Sequence, residues 1–173
     1  MPPKRSYDTV TYTSAMPSPD ATEIELVEYR PEFRRDFESL NRVWLERHGL
    51  LEAADLEYLQ EPERHILATG GQIYFAIRGP SVLGSCGAIR ISSTTFELAK
   101  LAVDPAARGR GLGRRLCEAV LAFARRKGAT EIVLTSHTSL VEAIRLYESM
   151  GFQHAKLADV RYKTANVFMR LDL

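Results

Sequence analysis

Hydrophobic and polar residues recur along the chain with two different periods, which predict strands and helices. Five segments carry the short extended pattern typical of strands and are bounded by glycine, proline or other turn residues. These segments are residues 23–29, 72–78, 81–91, 96–103 and 131–137. A final alternating segment, residues 160–173, predicts one more strand or a pair of strands.

Helical spacing of apolar residues marks the segments between these strands. After Pro31 the apolar residues that recur at this spacing are Phe33, Phe37, Leu40, Val43 and Trp44. Residues 53–67 predict a more acidic helical region that is broken at Pro62. The segment is followed by three strands that meander towards residue 103, so the first half of the chain predicts a mostly antiparallel sheet.

Two further helices are predicted in the second half of the chain. The first places an apolar row on one face, made of Leu112, Leu116, Val120 and Phe123. It ends in a basic turn followed by Gly128, which is typical of a helix C-terminus. The second covers about residues 140–150 and ends at Gly151.

Length and composition are those of one globular domain. The chain has 173 residues, of which 45% are hydrophobic and 26% are charged, and it shows no internal repeat or linker. Residues 1–21 are rich in Pro, Ser, Thr and Asp, so we predict a tail that is either mobile or adds an edge strand. Residues 22–173 then form the domain.

The charge balance and the cysteine count exclude several classes of function. The 23 basic and 22 acidic side chains leave a net charge of +1, which argues against nucleic-acid or membrane-surface binding. No apolar run approaches the roughly 18 residues of a membrane span, and the N-terminus lacks the apolar core of a signal peptide, so a cytoplasmic location is predicted. Cys86 and Cys117 are interpreted as reduced thiols in apolar positions, and no metal site is expected.

A glycine-rich turn between a predicted strand and a predicted helix carries the strongest functional signal. Residues 108–113 read Arg-Gly-Arg-Gly-Leu-Gly, and their three glycines let backbone N–H groups approach a ligand closely. The helix N-terminus adds partial positive charge, and the neighbouring arginines add whole charges. This combination predicts a pyrophosphate site.

Two common pyrophosphate sites fit the chain poorly. A nucleoside-triphosphate loop needs Lys and Ser or Thr after the turn, whereas Arg114 and Arg115 stand there. A dinucleotide fold needs a strand about 20 residues later that ends in a ribose-binding carboxylate. The next strand ends in Ser136 and His137 instead.

The pattern resembles the GNAT N-acetyltransferase superfamily. Arg108-x-x-Gly111-x-Gly113 looks like the acyl-CoA signature of that family, Arg/Gln-x-x-Gly-x-Gly/Ala after the fourth strand. Residues 143–152, Ala-Ile-Arg-Leu-Tyr-Glu-Ser-Met-Gly-Phe, resemble its second motif, Ala-Ile-x-Leu-Tyr-x-x-x-Gly-Phe. The resemblance covers residues 72–172 well and the N-terminal third in outline. It implies a single α/β (α+β) domain with a mixed, mostly antiparallel central sheet flanked by helices.

The resemblance also implies acetyl-CoA as cosubstrate and a set of residues that bind it. Backbone groups of Leu101, Ala102 and Val103 would pair with the pantetheine arm as an added strand does, and one N–H is expected to polarise the acetyl oxygen. The other implied cofactor-binding residues are Arg108, Gly109, Arg110, Gly111, Leu112, Gly113, Arg114, His137 and Tyr147. Arg110, Arg114 and Arg115 also fit a solvated helix face, and Arg114 is preferred to Arg115 as a ligand. His137 stands where the family often carries Asn, which puts that contact in question.

Acetyl transfer to an amine needs a base for the acceptor and an acid for the departing thiolate. Glu97 resembles the base glutamate of some family members, although a charged residue in an alternating strand is usually just its solvated side. His137 and Glu142 are alternative bases. Tyr147 matches the tyrosine expected to protonate the CoA thiolate, although its spacing also fits a core aromatic residue.

These observations predict direct acetyl transfer from acetyl-CoA to a primary amine in a ternary complex, without a covalent enzyme intermediate. The acceptor is left open between a free amino acid, another small amine and a protein amino group. The alternative is a non-catalytic acyl-CoA-binding regulatory module. Dimers are common among similar proteins, so a homodimer is a further hypothesis.

Overall fold

The computed structural model describes residues 23–156 and 161–173. Its strands are β1 (Glu25–Glu28), β2 (Gln72–Arg78), β3 (Ser81–Arg90), β4 (Thr95–Val103), β5 (Glu131–Ser136), β6 (Gln153–His154) and β7 (Val167–Asp172). Its α-helices are α1 (Arg34–Arg47), α2 (Ala53–Gln60), α3 (Leu112–Arg126) and α4 (Val141–Ser149). Short 3-10 turns at Pro31–Phe33 and Pro105–Ala107 precede α1 and α3, and a π-helical turn at Glu63–Leu67 precedes β2.

Within the described residues, seven strands form one sheet in the order β1-β2-β3-β4-β5-β7-β6. β4 and β5 run parallel, and the other neighbouring strands are antiparallel. Because α3 lies between β4 and β5 in the sequence, it forms the crossover that parallel neighbours require. The predicted fold class, a mixed and mostly antiparallel sheet flanked by helices, is confirmed.

The parallel pair in the middle of the sheet is short. Thr95–Glu97 pair with Glu131–Val133, whereas β4 continues to Val103 and β5 to Ser136. The two strands therefore diverge beyond Glu97, and from there on no strand of the described residues pairs with the edge of β4 that faces β5. This divergence opens a cleft in the centre of the sheet.

Helices cover both faces of the sheet and give it two cores. The apolar row of α3 is buried as predicted and packs on one face with Phe96, Leu98 and Ile132. On the other face Phe37 of α1 and Leu59 of α2 pack against β2 and β3. Residues that alternate along each strand thus belong to different cores, which is the period-two rule of a sheet.

The predicted elements agree with the structure apart from two segments. In the predicted apolar row of α1, Phe37 is fully buried whereas Val43 is 54% exposed. The alternative of two strands within residues 160–173 is wrong, because residues 161–166 form no strand and β6 lies earlier in the chain. The predicted tail, residues 1–21, lies outside the described residues. Among the residues that are described, no helix is long and apolar enough to cross a membrane.

Candidate active site

The divergence of β4 and β5 creates a cavity of about 120 Å³ in the centre of the sheet. β4, β5, α4 and the segment before β7 all contribute to its walls. Its polar and aromatic lining includes Glu97, Lys100, Ser136, His137, Tyr147 and Tyr162. The structure therefore brings the predicted base, its alternative His137 and the predicted acid to one cavity, although they are far apart in sequence.

A larger pocket of about 530 Å³ lies next to this cavity along the edge of β4 that faces away from β3. Trp44, Leu101, Leu140 and Ala143 line both spaces, so the two are adjacent. Val103 lines the larger pocket, whereas the side chain of Ala102 is buried in the core. An extended molecule lying against β4 would thus meet the side chains of Leu101 and Val103 and the backbone of all three residues.

The glycine-rich turn forms the far end of the larger pocket. Gly109 and Gly111 have φ angles of +75° and +69°, and Gly111 is the N-cap of α3. This left-handed backbone is favourable for glycine and strained for other residues. The first N–H groups of α3 have no partner within the helix, so they remain free for an anion.

The arginines near this turn differ in their surroundings. Arg108 and Arg114 line the larger pocket together with Gly109, Gly111, Leu112 and Gly113. Arg114 donates from Nη2 to Ser149 Oγ at 2.6 Å, so it is held against α4. Arg115 donates to the carbonyl of Ile24 at 3.1 Å, while Arg110 is exposed and lies outside the lining of the pocket. The geometry favours Arg108 and Arg114 as anion ligands.

Glu97 is buried rather than solvated. Its side chain is 9% exposed and faces the α1 and α2 side of the sheet, since its neighbour across β3, Ile89, belongs to that core. Arg161 Nη1 donates to Glu97 Oε2 at 3.3 Å. Burial raises the pKa of Glu97, and the charges of Arg161 and Lys100 oppose that rise. The interpretation of Glu97 as the wet side of a strand is wrong.

Tyr147 is buried in α4, 7% exposed, and packs edge-on against Phe152 with ring centroids 5.9 Å apart. Burial raises the pKa of Tyr147 well above its ordinary value, and the nearby Cys117 and Cys86 thiols act in the same direction. The phenol therefore keeps its proton at neutral pH. Both cysteines are free and buried, as predicted.

His137 and Glu142 are placed less favourably for proton abstraction. His137 Nδ1 accepts the backbone N–H of Ser139 at 3.1 Å and lies 2.7 Å from Ser139 Oγ. When Nδ1 accepts in this way, the proton of the neutral ring is on Nε2, which suits a hydrogen-bond donor. Glu142 is exposed and lines the larger pocket, away from the central cavity.

Lys100 is a residue of the cavity that sequence reasoning missed. Its φ angle is +56°, and it lies where β4 has one extra residue, since Ser85 pairs with Ala102 but Gly87 pairs with Ala99. Strict alternation would place Lys100 on the α3 side, but this bulge turns it to the side of Glu97. Its ammonium pairs with Asp55 of α2 and donates to Tyr162 Oη at 3.0 Å.

A set of hydrogen bonds holds this arrangement together. Asp55 Oδ2 accepts the backbone N–H of Glu52 at 2.9 Å, which caps α2, while Asp55 Oδ1 pairs with Lys100. The Glu52 carboxylate accepts the N–H groups of Lys163 and Thr164 at 3.1 and 2.8 Å. The start of α2 is thereby joined to the segment that carries Arg161 and Tyr162. No sequence pattern pairs these positions, because they lie more than a hundred residues apart.

The residues that the structure describes contain no group of three or more His, Cys, Asp or Glu side chains that could hold a metal ion. The site thus offers carboxylate, phenol, ammonium and guanidinium groups around a central cavity. Next to them are an open strand edge and the N–H groups at the start of α3 that have no partner within the helix. These groups can move protons and bind a phosphate-bearing chain.

Comparison with known proteins finds several that are similar to this chain in sequence or in structure. Rat N-acetyltransferase 8B is 36% identical over 89 residues, which are 49% of this chain and 40% of that protein, so the chain matches less than half of that relative's length. A structure of a GNAT-family acetyltransferase from Staphylococcus aureus Mu50 superposes with a TM-score of 0.80. It is 22% identical and covers 87% of this chain and 99% of the other. A Salmonella typhimurium acetyltransferase, yncA, solved with acetyl-CoA, has a TM-score of 0.67 at 20% identity, over 87% of this chain and 94% of that one.

The sequence profile of the acetyltransferase (GNAT) family matches residues 27–152, from β1 to the end of the second motif. This match spans more than two thirds of the chain and includes the glycine-rich turn, Glu97 and Tyr147. It confirms the predicted family. The chain belongs to the acetyltransferase (GNAT) family.

Proposed function

We propose that this protein transfers the acetyl group of acetyl-CoA to a primary amine by direct attack within a ternary complex. The observation that carries the proposal is the shared cavity. Glu97 from β4 and Tyr147 from α4 line the same space, and that space lies next to the pocket of the glycine-rich turn, with which it shares four lining residues. One end can hold the coenzyme while the other receives an amine.

The coenzyme is proposed to lie along the diverging edge of β4. Its pyrophosphate would meet the free N–H groups at the start of α3 and the side chains of Arg108 and Arg114. Its pantetheine arm would hydrogen-bond to the backbone of residues 101–103, as an added strand does. This places the thioester at the entrance of the central cavity.

Glu97 is proposed to act as the base, directly or through one water molecule. An acceptor amine is mostly protonated at neutral pH, and only its free form has the lone pair that attacks the thioester carbon. The raised pKa of Glu97, caused by burial, makes its carboxylate a stronger base than an exposed one. Attack forms the C–N bond, and the excess proton leaves the amine for Glu97.

Tyr147 is proposed to act as the acid. When the tetrahedral intermediate collapses, the C–S bond breaks and the sulfur takes the electron pair. Tyr147 lines the cavity and keeps its phenolic proton, since burial raises its pKa. It donates this proton to the thiolate, so CoA leaves as the thiol and the acetylated amine is released. Solvent then takes the proton from Glu97 and returns one to Tyr147 before the next cycle.

The test is a measurement of thiol release from acetyl-CoA with a panel of amines, combined with mass spectrometry of the acceptor. We expect release that depends on the amine and a mass increase equal to one acetyl group. CoA binding without amine-dependent release at any pH would contradict the proposal and favour the alternative, a regulatory module that binds acyl-CoA. The cytoplasmic location and the homodimer remain predictions from the sequence.

A further inference from the structure

Arg161 covers the proposed base from the segment that precedes β7. Its Nη1 lies 3.3 Å from Glu97 Oε2, and its side chain is 34% exposed. The guanidinium lies over the ring of Tyr58, 4.7 Å from the centroid, and 5.8 Å from the centroid of Tyr162. These two rings hold the guanidinium in place while part of it faces solvent.

The charged groups around Glu97 form two pairs of unequal accessibility. Lys100 and Asp55 pair with each other, and their side chains are 6% and 5% exposed. Removing either partner would leave a buried charge without compensation, so this pair is not free to rearrange. The pair of Glu97 and Arg161 is more open, and only one of the guanidinium nitrogens contacts the carboxylate.

A cationic acceptor must compete with Arg161 for Glu97. When an ammonium group approaches the carboxylate, Arg161 loses its partner and stands as a second cation beside the incoming one. An alkylamine leaves this repulsion uncompensated in a partly buried place. An acceptor that also carries a carboxylate compensates it, because a guanidinium presents a fork of donors that matches a carboxylate.

We propose that the acceptor is a free amino acid, or a similarly small molecule whose amine and carboxylate are one or two carbon atoms apart, and that Arg161 binds the carboxylate. The contact of 3.3 Å between Arg161 and Glu97 sets this spacing, since one molecule must reach both groups. A lysine side chain, and a protein N-terminus whose first residue is not Asp, lack a carboxylate at this distance from the amine. This inference rests on the proposed acetyl transfer and specifies its acceptor.

The test compares the standard L-amino acids with their carboxamides in the thiol-release assay with the full chain. Each pair has nearly the same size and differs in one negative charge. Because the amine of the amide is less basic, the rates are compared per concentration of unprotonated amine. Wild-type protein is expected to have a higher kcat/KM for at least one amino acid than for its amide. Arg161→Gln should lower kcat/KM for that amino acid on the order of 10- to 100-fold, the range of a lost charged hydrogen bond. Because Arg161 also limits the rise of the Glu97 pKa, the two acceptors are compared at a pH above the acid limb of each variant, where the value for the amide should fall far less than that for the amino acid.

Two further variants sharpen this comparison. Arg161→Lys keeps the charge without the fork and should retain more of the preference for the carboxylate than Arg161→Gln. Arg64→Ala removes an exposed arginine that pairs with Glu61 beside α2, and it should leave the preference unchanged. Retained turnover of the amide shows that each variant is folded.

The possible failures are distinguishable. If amides or peptide N-termini are acetylated as well as amino acids, or if Arg161→Gln lowers both classes equally, the inference about the acceptor is wrong while acetyl transfer stands. If no amine of any class supports thiol release, the proposed function itself is wrong, and the acceptor inference fails with it.

Discussion

Glu97 is a carboxylate whose surroundings oppose its ionisation, which is useful in a base that must work near neutral pH. Burial raises its pKa, and Arg161 and Lys100 limit the rise without removing it. An acid with a raised pKa stays protonated at low pH and ionises at a higher pH than an exposed carboxylate does. Activity that needs the ionised form is therefore lost as the pH falls through this raised pKa.

The first prediction concerns Glu97→Gln, which has nearly the same shape but accepts no proton. We expect kcat/KM to fall on the order of 10²- to 10⁴-fold, the usual contribution of a general base. The pH profile should also lose one ionisation on its acid side, leaving that of the acceptor. The titratable groups that act on the charge of Glu97 are Arg161, Lys100 and Tyr58. The first two stay cationic and Tyr58 stays neutral there, because their ordinary pKa values are about 10 or above.

Steady-state rates between acid and mildly alkaline pH check this prediction. A variant that keeps the wild-type acid limb would show that another group, such as His137, or solvent takes the proton. Glu97→Gln also removes the ion-pair partner of Arg161. CoA affinity should stay unchanged, since neither residue lines the pocket of the glycine-rich turn.

The second prediction concerns the phenol of Tyr147. Tyr147→Phe should lower kcat on the order of 10²-fold or more, because the thiolate leaves without a proton donor, while the affinity for CoA is retained. Tyr74→Phe is the matched control, since Tyr74 is also buried and its hydroxyl contacts Glu28 and Arg126 instead of the cavity. Stopped-flow thiol release and calorimetric titration with CoA measure the two quantities. Equal loss in both variants would point to packing rather than proton donation.

At the scale of elements, the strands and helices were predictable because each has its own local pattern. The apolar row of α3 and the glycine turn before it predicted where that helix begins, and Gly111 is indeed its N-cap. The bulge in β4 was not predictable. One inserted residue reverses the side of the sheet on which Lys100 lies, but the apolar and polar pattern of β4 does not show where that residue is inserted. Its partner Asp55 is 45 residues away and reads in the sequence as an ordinary helix-capping acid.

The same limit applies to Arg161 and Tyr162. Their segment reaches the cavity because Glu52 binds the backbone of Lys163 and Thr164, a contact that spans more than a hundred residues. The motif residues Glu97 and Tyr147 could be proposed from the sequence because the family pattern singles them out. The residues that surround them are specified by long-range packing, for which one sequence carries no local signal.

The third prediction tests the shape of the glycine turn. Gly111 and Gly79 both have positive φ angles, +69° and +55°, and a Cβ atom at either position would meet nothing within 4 Å. Alanine at each site should therefore cost about 1–2 kcal/mol of stability through backbone strain alone. Only Gly111→Ala should weaken CoA binding, because Gly111 lines the larger pocket and Gly79 does not. Urea unfolding and calorimetric titration of both variants separate strain from binding, and equal CoA affinity in the two variants would contradict the proposed pyrophosphate site.

At the scale of the whole molecule, the cleft divides the sheet into two halves that touch through few strand contacts. β1 to β4 form one half, and β5, β7 and β6 form the other, with three residue pairs between β4 and β5. α3 strengthens this junction, because it packs on β2, β3 and β4 and leads directly into β5. A coenzyme bound along β4 would supply hydrogen bonds where the strands have none.

The last prediction follows from this division of the sheet. Saturation with CoA should slow amide hydrogen exchange at residues 101–103 and at the start of α3, since those groups would be paired or covered by the ligand. The pairing of β1 with β2 lies two strands from the cleft and serves as an internal control, whose exchange should follow only the overall gain in stability. That gain is about 2.7 kcal/mol at a ligand concentration of 100 times Kd. If protection appears uniformly, or if it is missing along β4 while the loop is protected, the coenzyme does not lie on the open strand edge and the proposed position of the thioester is wrong.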